Sequence, residues 1–203
     1  MSTENELNQL QQSRRKFLRG FGKAIGGTAI GAAMSGTMMN TALAFTRGQD
    51  SSLVAGKVFN QPQMFMLKQI CAQVIPTTDT PGAHQVDTHG FIDNQLMLCF
   101  PKKIQKAQVQ LLKLIQRTAQ KRYGKLFVKT SDKEQVELLT DIDVGKGGFN
   151  QKQRKLFKQL KSLIAFGYYT SEVGMTDELR YLAVPGGYKG QISYTTGEGA
   201  WAS

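Results

Sequence analysis

PKKIQKAQVQLLKLIQRTAQKRYG, residues 101–124, is the stretch that decides the fold. Ile104, Ala107, Leu111, Leu114, Ile115 and Thr118 recur at three- and four-residue spacing, which gathers them along one side of a helix. Lys102, Lys103, Lys106, Lys113, Arg117 and Lys121 decorate the rest of its surface. Pro101 suits the start, because a first helical turn needs no N–H there. Gly124 is the natural residue after the last turn, where a left-handed conformation closes the helix. The pattern predicts a long helix through Arg122 with its six apolar or small residues turned inward.

The same periodicity continues on both sides. Leu67, Ile70, Cys71 and Val74 predict a helix over 61–75, with Pro62 in its first turn and Pro76 stopping it. Phe91, Ile92, Gln95, Leu96 and Cys99 mark a second, capped by Asp87 or Thr88 and running to about Phe100. Ser131 and Glu134 form the Ser-x-x-Glu pattern of a capping box, opening a helix to about Ile142 with Val136, Leu139 and Ile142 inward. Asn150 caps the last long helix, with Leu156, Phe157, Leu160, Leu163, Ile164 and Tyr168 as its stripe. Thr176-Asp177-Glu178 opens one short turn more. No stretch alternates convincingly as a strand. The expected fold is all-α, a small bundle of about five main helices followed by an irregular aromatic tail over 184–203.

Ahead of the first helix stands a different kind of sequence. Ser13-Arg14-Arg15-Lys16-Phe17-Leu18-Arg19 precedes a weakly apolar run rich in Gly, Ala, Thr and Met, which ends at Ala42-Leu43-Ala44. Basic head, apolar middle and small-x-small exit are the order of an export signal. The paired arginines, with Phe17 and Leu18 behind them, match the twin-arginine signal of proteins exported in a folded state. Lys23 and the many glycines make the run a poor membrane span, which needs roughly 20 predominantly apolar residues. The expectation is a cleaved signal over 1–44, with cleavage at Ala42 and Ala44, and a mature domain over 45–203 in the periplasm. What remains is enough chain for one domain.

The net charge is +11, and sixteen Lys or Arg against five Asp or Glu lie between Lys102 and Lys161. In an exported protein that balance does not indicate nucleic acid. Anionic lipid headgroups, an acidic protein partner or a solvated face remain. The chain carries two cysteines, Cys71 and Cys99. If their helices run antiparallel, the two residues lie about 10 Å apart in height, beyond the roughly 7 Å Cα separation that a disulfide tolerates. Both also fall on apolar stripes, so two unbonded, packed thiols are expected. No Cys-x-x-Cys-His attaches a haem, and no Gly-x-Gly-x-x-Gly opens a dinucleotide fold. This chain is expected to hold no cofactor.

Asp79, His84, Asp87, His89 and Asp93 could converge on a metal, and His89 and Asp93 share a helix face. A polar turn leading into a first helical turn that favours acids explains them equally, and no metal-ligand spacing is present. No metal site is therefore assigned. No Gly-x-Ser-x-Gly elbow supports a hydrolase, and Asp141 and Asp143, two apart on a helix, do not face each other as a carboxylate pair would. A solvated helix end accounts for them, and no catalytic residue is assigned. Tyr168, Tyr169, Tyr181, Tyr188, Tyr194 and Trp201 all lie near the C-terminus. Aromatics in a Gly-rich tail favour docking on another chain, and a long tail without secondary structure is unusual inside a compact monomer. Tyr168, Tyr169, Tyr181, Tyr188 and Trp201 are the expected partner contacts.

Ile75-Pro76-Thr77-Thr78-Asp79-Thr80-Pro81-Gly82-Ala83, with Gly90-Phe91-Ile92-Asp93 behind it, resembles the signature of the gluconate 2-dehydrogenase subunit 3 family. Gly167-Tyr168-Tyr169-Thr170-Ser171-Glu172-Val173-Gly174 and Val184-Pro185-Gly186-Gly187-Tyr188 resemble its C-terminal motifs. The resemblance implies a small accessory subunit with no catalytic residue of its own. It implies a large FAD-dependent partner of the glucose–methanol–choline oxidoreductase kind that oxidises a sugar or sugar acid. A membrane-bound cytochrome c with several haems would be the electron outlet and would keep the complex at the membrane. It further implies that this chain escorts the folded flavoprotein through the twin-arginine translocase. The competing expectation is a free-standing periplasmic enzyme or metal-binding domain that uses the His84–Asp93 turn.

Overall fold

The computed structural model describes residues 50–182 together with 184, 186–187, 191, 193, 195–196 and 199–202. The expected export signal and its expected cleavage site, with Pro185, Tyr188 and Tyr194, lie outside the described residues. Five α-helices carry the domain: α1 (Gln61–Val74), α2 (Thr88–Cys99), α3 (Lys102–Tyr123), α4 (Asp132–Val144) and α5 (Gln151–Tyr169). Short 3-10 turns at Ser51–Leu53 and Phe127–Lys129 and a π-turn at Gly174–Glu178 complete the helical content. The domain is all-α, as the periodicity predicts.

Local chemistry sets the helix ends. Three capping boxes open helices: Asn60 with Gln63 at α1, Ser131 with Glu134 at α4, and Asn150 with Gln153 at α5. In each, two side chains satisfy two backbone N–H groups that the helix itself cannot reach. Gly124 and Gly145 close α3 and α4 at φ 67° and 74°, conformations that a side chain would disfavour. Ile75 leaves the helical region, at φ −131° and ψ 89°, ahead of Pro76, which ends α1.

Leu67 and Ile70 of α1, Ile92 and Leu96 of α2, Leu111, Leu112 and Ile115 of α3, Leu138 and Ile142 of α4, and Phe157, Leu160 and Ile164 of α5 meet in one core with Phe127. Full burial of each such side chain contributes about 1.5–3 kcal/mol, which makes this cluster the main source of stability.

The inner face of α3 departs from expectation by about one residue. Gln105, Gln108, Leu111, Leu112, Ile115 and Ala119 are buried, whereas Ile104, Ala107 and Thr118 are not fully so. The two glutamines are tolerated because their amides are bonded: Gln105 Nε2 donates to Phe100 O at 2.9 Å, and Gln108 Nε2 to Leu156 O at 3.3 Å. On α4, Val136 points outward at 46% exposure, and Gln135 and Leu138 take the inward positions. Gln135 Nε2 donates to Phe127 O at 3.1 Å, which pins the preceding turn.

Cys71 and Cys99 are unbonded, as expected. Their surroundings differ, however. Cys71 is buried and its thiol is pushed up by desolvation, so it is chemically quiet. Cys99 is exposed at the end of α2, where its Sγ lies 3.1 Å from Gln95 Oε1. Asp141 and Asp143 are likewise not merely solvated. Asp141 pairs with Arg122 at 2.6 Å and Asp143 with Lys161 at 2.7 Å, tying α4 to α3 and α5.

The C-terminal residues form one short parallel bridge, which the sequence pattern did not reveal. Arg180–Tyr181 (β1) pairs with Trp201–Ala202 (β2), and the Arg180 guanidinium sits 4.3 Å from the centre of the Trp201 ring. Among the described residues, no helix is long and apolar enough to cross a membrane.

Candidate functional site

The Ile75–Ala83 loop is held by its own backbone and by two distant side chains. Ala83 N donates to Ile75 O at 3.1 Å and Thr78 N to Thr80 O at 3.1 Å. Gln85 Oε1 accepts from Gly82 N at 2.8 Å and from Thr77 Oγ1 at 2.7 Å. Gly82 is needed for space rather than for a positive φ: a Cβ there would sit 2.7 Å from Thr77 N and 2.8 Å from Ile75 O. From the far end of the chain, Tyr168 Oη donates to Pro81 O at 3.0 Å, while Thr80 Oγ1 donates to Glu178 Oε2 at 2.7 Å. The two family-like motifs thus meet. Ser171 Oγ donates to Tyr168 O at 2.6 Å and accepts from Gly174 N at 3.1 Å, which fixes the turn leaving α5.

Tyr168, expected at a partner surface, is 1% exposed and belongs to the core. Tyr169, one residue on, is 39% exposed, because neighbours on a helix point about 100° apart. Tyr181 and Trp201 are exposed as well.

A polar cluster joins the start of α2 to the arm before α1. Asp50, Asp87 and His89 place one ligand-type atom each within 4.8 Å of the others. His89 Nε2 is 3.0 Å from Asp50 Oδ1 and 3.1 Å from Asp87 Oδ1. Carboxylates only accept, so Nε2 carries the proton and donates it. Asp50 also pairs with the Lys68 ammonium and accepts from Ser52 N at 3.0 Å and Ser52 Oγ at 2.7 Å. Asp87 takes Ser51 N at 3.2 Å and Ser51 Oγ at 2.7 Å. It does not cap α2 with its side chain. Its backbone is left-handed at φ 55°, a conformation Asp tolerates better than most residues.

Asp93 performs a second anchoring task a turn later. Its carboxylate accepts from Lys57 N at 2.5 Å, Val58 N at 2.9 Å and Phe59 N at 3.0 Å. Gly56 admits that approach, since a Cβ would lie 2.5 Å from the carboxylate carbon. Lys57 Nζ donates to Asn94 Oδ1 at 2.6 Å alongside.

Of the expected cluster, then, the structure unites Asp87 and His89, sends Asp93 to the arm's backbone and leaves Asp79 exposed. His84 is half-buried, with a buried Nδ1 that has no partner. Asp50, Ser51 and Lys68 were missed by sequence reasoning. The one local signal was Asp50-Ser51-Ser52, an N-cap pattern for the turn it opens. Chemically the cluster is a latch. Lys68 already supplies the positive charge that a cation would bring, and every carboxylate oxygen has a donor.

Burial raises the Asp50 carboxyl, but the hydrogen bonds from Lys68, Ser52 and His89 outweigh it and hold it well below the usual range. Burial lowers the His89 imidazole, against the opposite pull of Asp87 and Asp50. Both shifts make acid destabilising. The His89 contribution is complete above its unfolded value of 6.5 and is lost as pH falls from there through the folded value. That of Asp50 is complete above 3.8 and is lost below it. The urea midpoint of the full chain should therefore fall as pH is lowered from 7.5 to 5. The slope should be shallower in His89→Asn. It should not vanish, because burial and Lys68 lower His84 too. An unchanged slope in the variant would remove His89 from the latch.

No curated protein and no solved structure matches the chain. A family model does, that of gluconate 2-dehydrogenase subunit 3, over residues 61–186, which takes in all five helices and the loop that Tyr168 clamps. The chain belongs to the gluconate 2-dehydrogenase subunit 3 family, and so to the accessory subunits of dehydrogenases.

Proposed function

We propose that the protein is the non-catalytic small subunit of a periplasm-facing, FAD-dependent sugar or sugar-acid dehydrogenase. In this reading it escorts the folded flavoprotein through the twin-arginine translocase and stabilises it afterwards. The match over residues 61–186 carries the proposal. The sequence from Ser13 to Leu18 supports the escort role, because a folded-state export route suits a partner that must bind its cofactor first. FAD belongs to the large subunit, and haem c to a membrane cytochrome that holds the complex at the membrane. The internal use of Asp50, Asp87, His89 and Asp93 also fits, since these groups hold the domain together rather than face a substrate.

Co-expression with the flavoprotein tests the escort role. Replacing Arg14 and Arg15 with Lys should leave the flavoprotein in the cytoplasm, with dye-reducing activity missing from the periplasmic fraction. Arrival of the active flavoprotein in the periplasm despite the double substitution would refute the escort. Stoichiometric metal on the purified chain, lost in Asp87→Asn and accompanied by turnover without any flavoprotein, would favour the free-standing domain instead.

A further inference from the structure

We propose that the solvent face of α3, with the Met97–Leu98 corner beside it, is a contact site for an anionic lipid surface. At 100° per residue, Lys102, Lys103, Lys106, Lys113, Arg117 and Lys121 all fall within an arc of about 100° on α3. That arc lies opposite the buried Gln105–Ala119 stripe, and all six side chains are exposed. The row is roughly 29 Å long at 1.5 Å per residue. Residues 102–123 contain no Asp or Glu. Among the described residues, no ion pair involves any of the six.

The row begins at an apolar corner. Met97 and Leu98 are 39% and 42% exposed at the end of α2, and Lys102 Nζ lies 3.7 Å from Met97 Sδ. No large apolar side chain on α3 itself is exposed. Protein interfaces are built around apolar and aromatic centres and are depleted in Lys. A row that is almost all Lys, without ion pairs and without an aromatic anchor, lacks that centre. It suits a diffuse, fluid array of negative charge, to which each cation adds attraction while long flexible stems adapt to mobile headgroups. Met97 and Leu98 can enter the headgroup layer beside Lys102, the division of labour seen in interfacial helices. The exposed aromatics among the described residues, Phe65, Phe166, Tyr169, Tyr181 and Trp201, lie on other elements, so a protein partner need not compete for this face. The contact would orient the domain on the bilayer whichever large subunit it accompanies.

Vesicle sedimentation tests this on the full chain, with Arg14, Arg15, Lys16, Arg19 and Lys23 replaced by Gln so that the leader's basic charges do not contribute. Vesicles of phosphatidylglycerol in phosphatidylcholine are compared with phosphatidylcholine alone, at low and high salt. Preferential binding to the anionic vesicles that high salt abolishes is expected. Replacing all six α3 cations with Gln should weaken it at least ~10-fold, whereas Lys152, Lys155 and Lys158 to Gln on α5 should change it less than ~3-fold. Far-UV circular dichroism checks the helices; if the six-site variant misfolds, Lys106, Lys113 and Arg117 to Gln is read instead, with a loss of at least ~3-fold expected. No preference for anionic vesicles overturns the proposal. So does equal weakening by the charge-matched three-site variants, Lys106, Lys113 and Arg117 to Gln on α3 and Lys152, Lys155 and Lys158 to Gln on α5, which are measured side by side; equality would mean net charge alone. So does unchanged lipid binding with release of the dehydrogenase subunit, which would assign the face to an acidic protein.

Discussion

Asp93→Ala is expected to lower the unfolding free energy by about 3–5 kcal/mol. The carboxylate receives three backbone N–H groups, from Lys57, Val58 and Phe59, at 2.5–3.0 Å. A hydrogen bond to a charged group contributes about 1.5–3 kcal/mol, and a buried donor left unpaired costs about 1–3 kcal/mol. Three such bonds share one acceptor group, so their losses overlap and the low end of the sum applies. The substitution also frees the turn that seats Phe59, which is 1% exposed in the core. Asp93→Asn keeps one acceptor oxygen but turns an NH2 toward a donor, so it should fall between wild type and Ala. Asp79→Ala, at an exposed position, is the control and should move stability by less than ~0.5 kcal/mol. Urea titration of the full chain measures all three. A loss below ~1 kcal/mol for Asp93→Ala would show that the arm is not held by this carboxylate.

Tyr168→Ala carries the second large effect, about 3–5 kcal/mol, the range for removing a buried aromatic ring. The ring is 1% exposed, and its hydroxyl donates to Pro81 O, so the substitution leaves a void and an unpaired carbonyl together. Tyr168→Phe separates the two: it keeps the ring and should cost only about 1 kcal/mol for the hydrogen bond. Tyr169→Ala should be nearly silent in stability, since its neighbour takes the inward position. The contrast bears on function. If Tyr168→Ala left folding untouched yet abolished the hold on a partner, the tyrosine would be a docking residue and its placement in the core would be wrong.

Most of the framework is legible before any coordinates. Five helices, three of their caps and the all-α class follow from interactions no more than four residues apart, which the sequence displays directly. Ser131 with Glu134 is the clearest instance, because a capping box is written entirely within one turn. The Ile75–Ala83 loop is legible in part: its prolines and glycine announce a turn, but that Gly82 serves close packing and that Tyr168 grips Pro81 does not.

What the tertiary structure alone decided has one physical cause, namely that partners far apart in sequence compete for a side chain's polar groups and its space. Periodicity placed Ile104 and Thr118 on the inner face of α3; packing turned the helix so that Gln105 and Gln108 went in, their amides met by carbonyls of Phe100 and of Leu156 on α5. It likewise put Cys71 inside and Cys99 outside, though both lie on apolar stripes. The acids and histidine at the head of α2 read as a turn or a metal cluster. They became a latch because residues 50–59, some 34–39 positions earlier, fold back onto them. Sequence spacing encodes what a residue shares a face with, while the partner across the gap is fixed only when the elements pack.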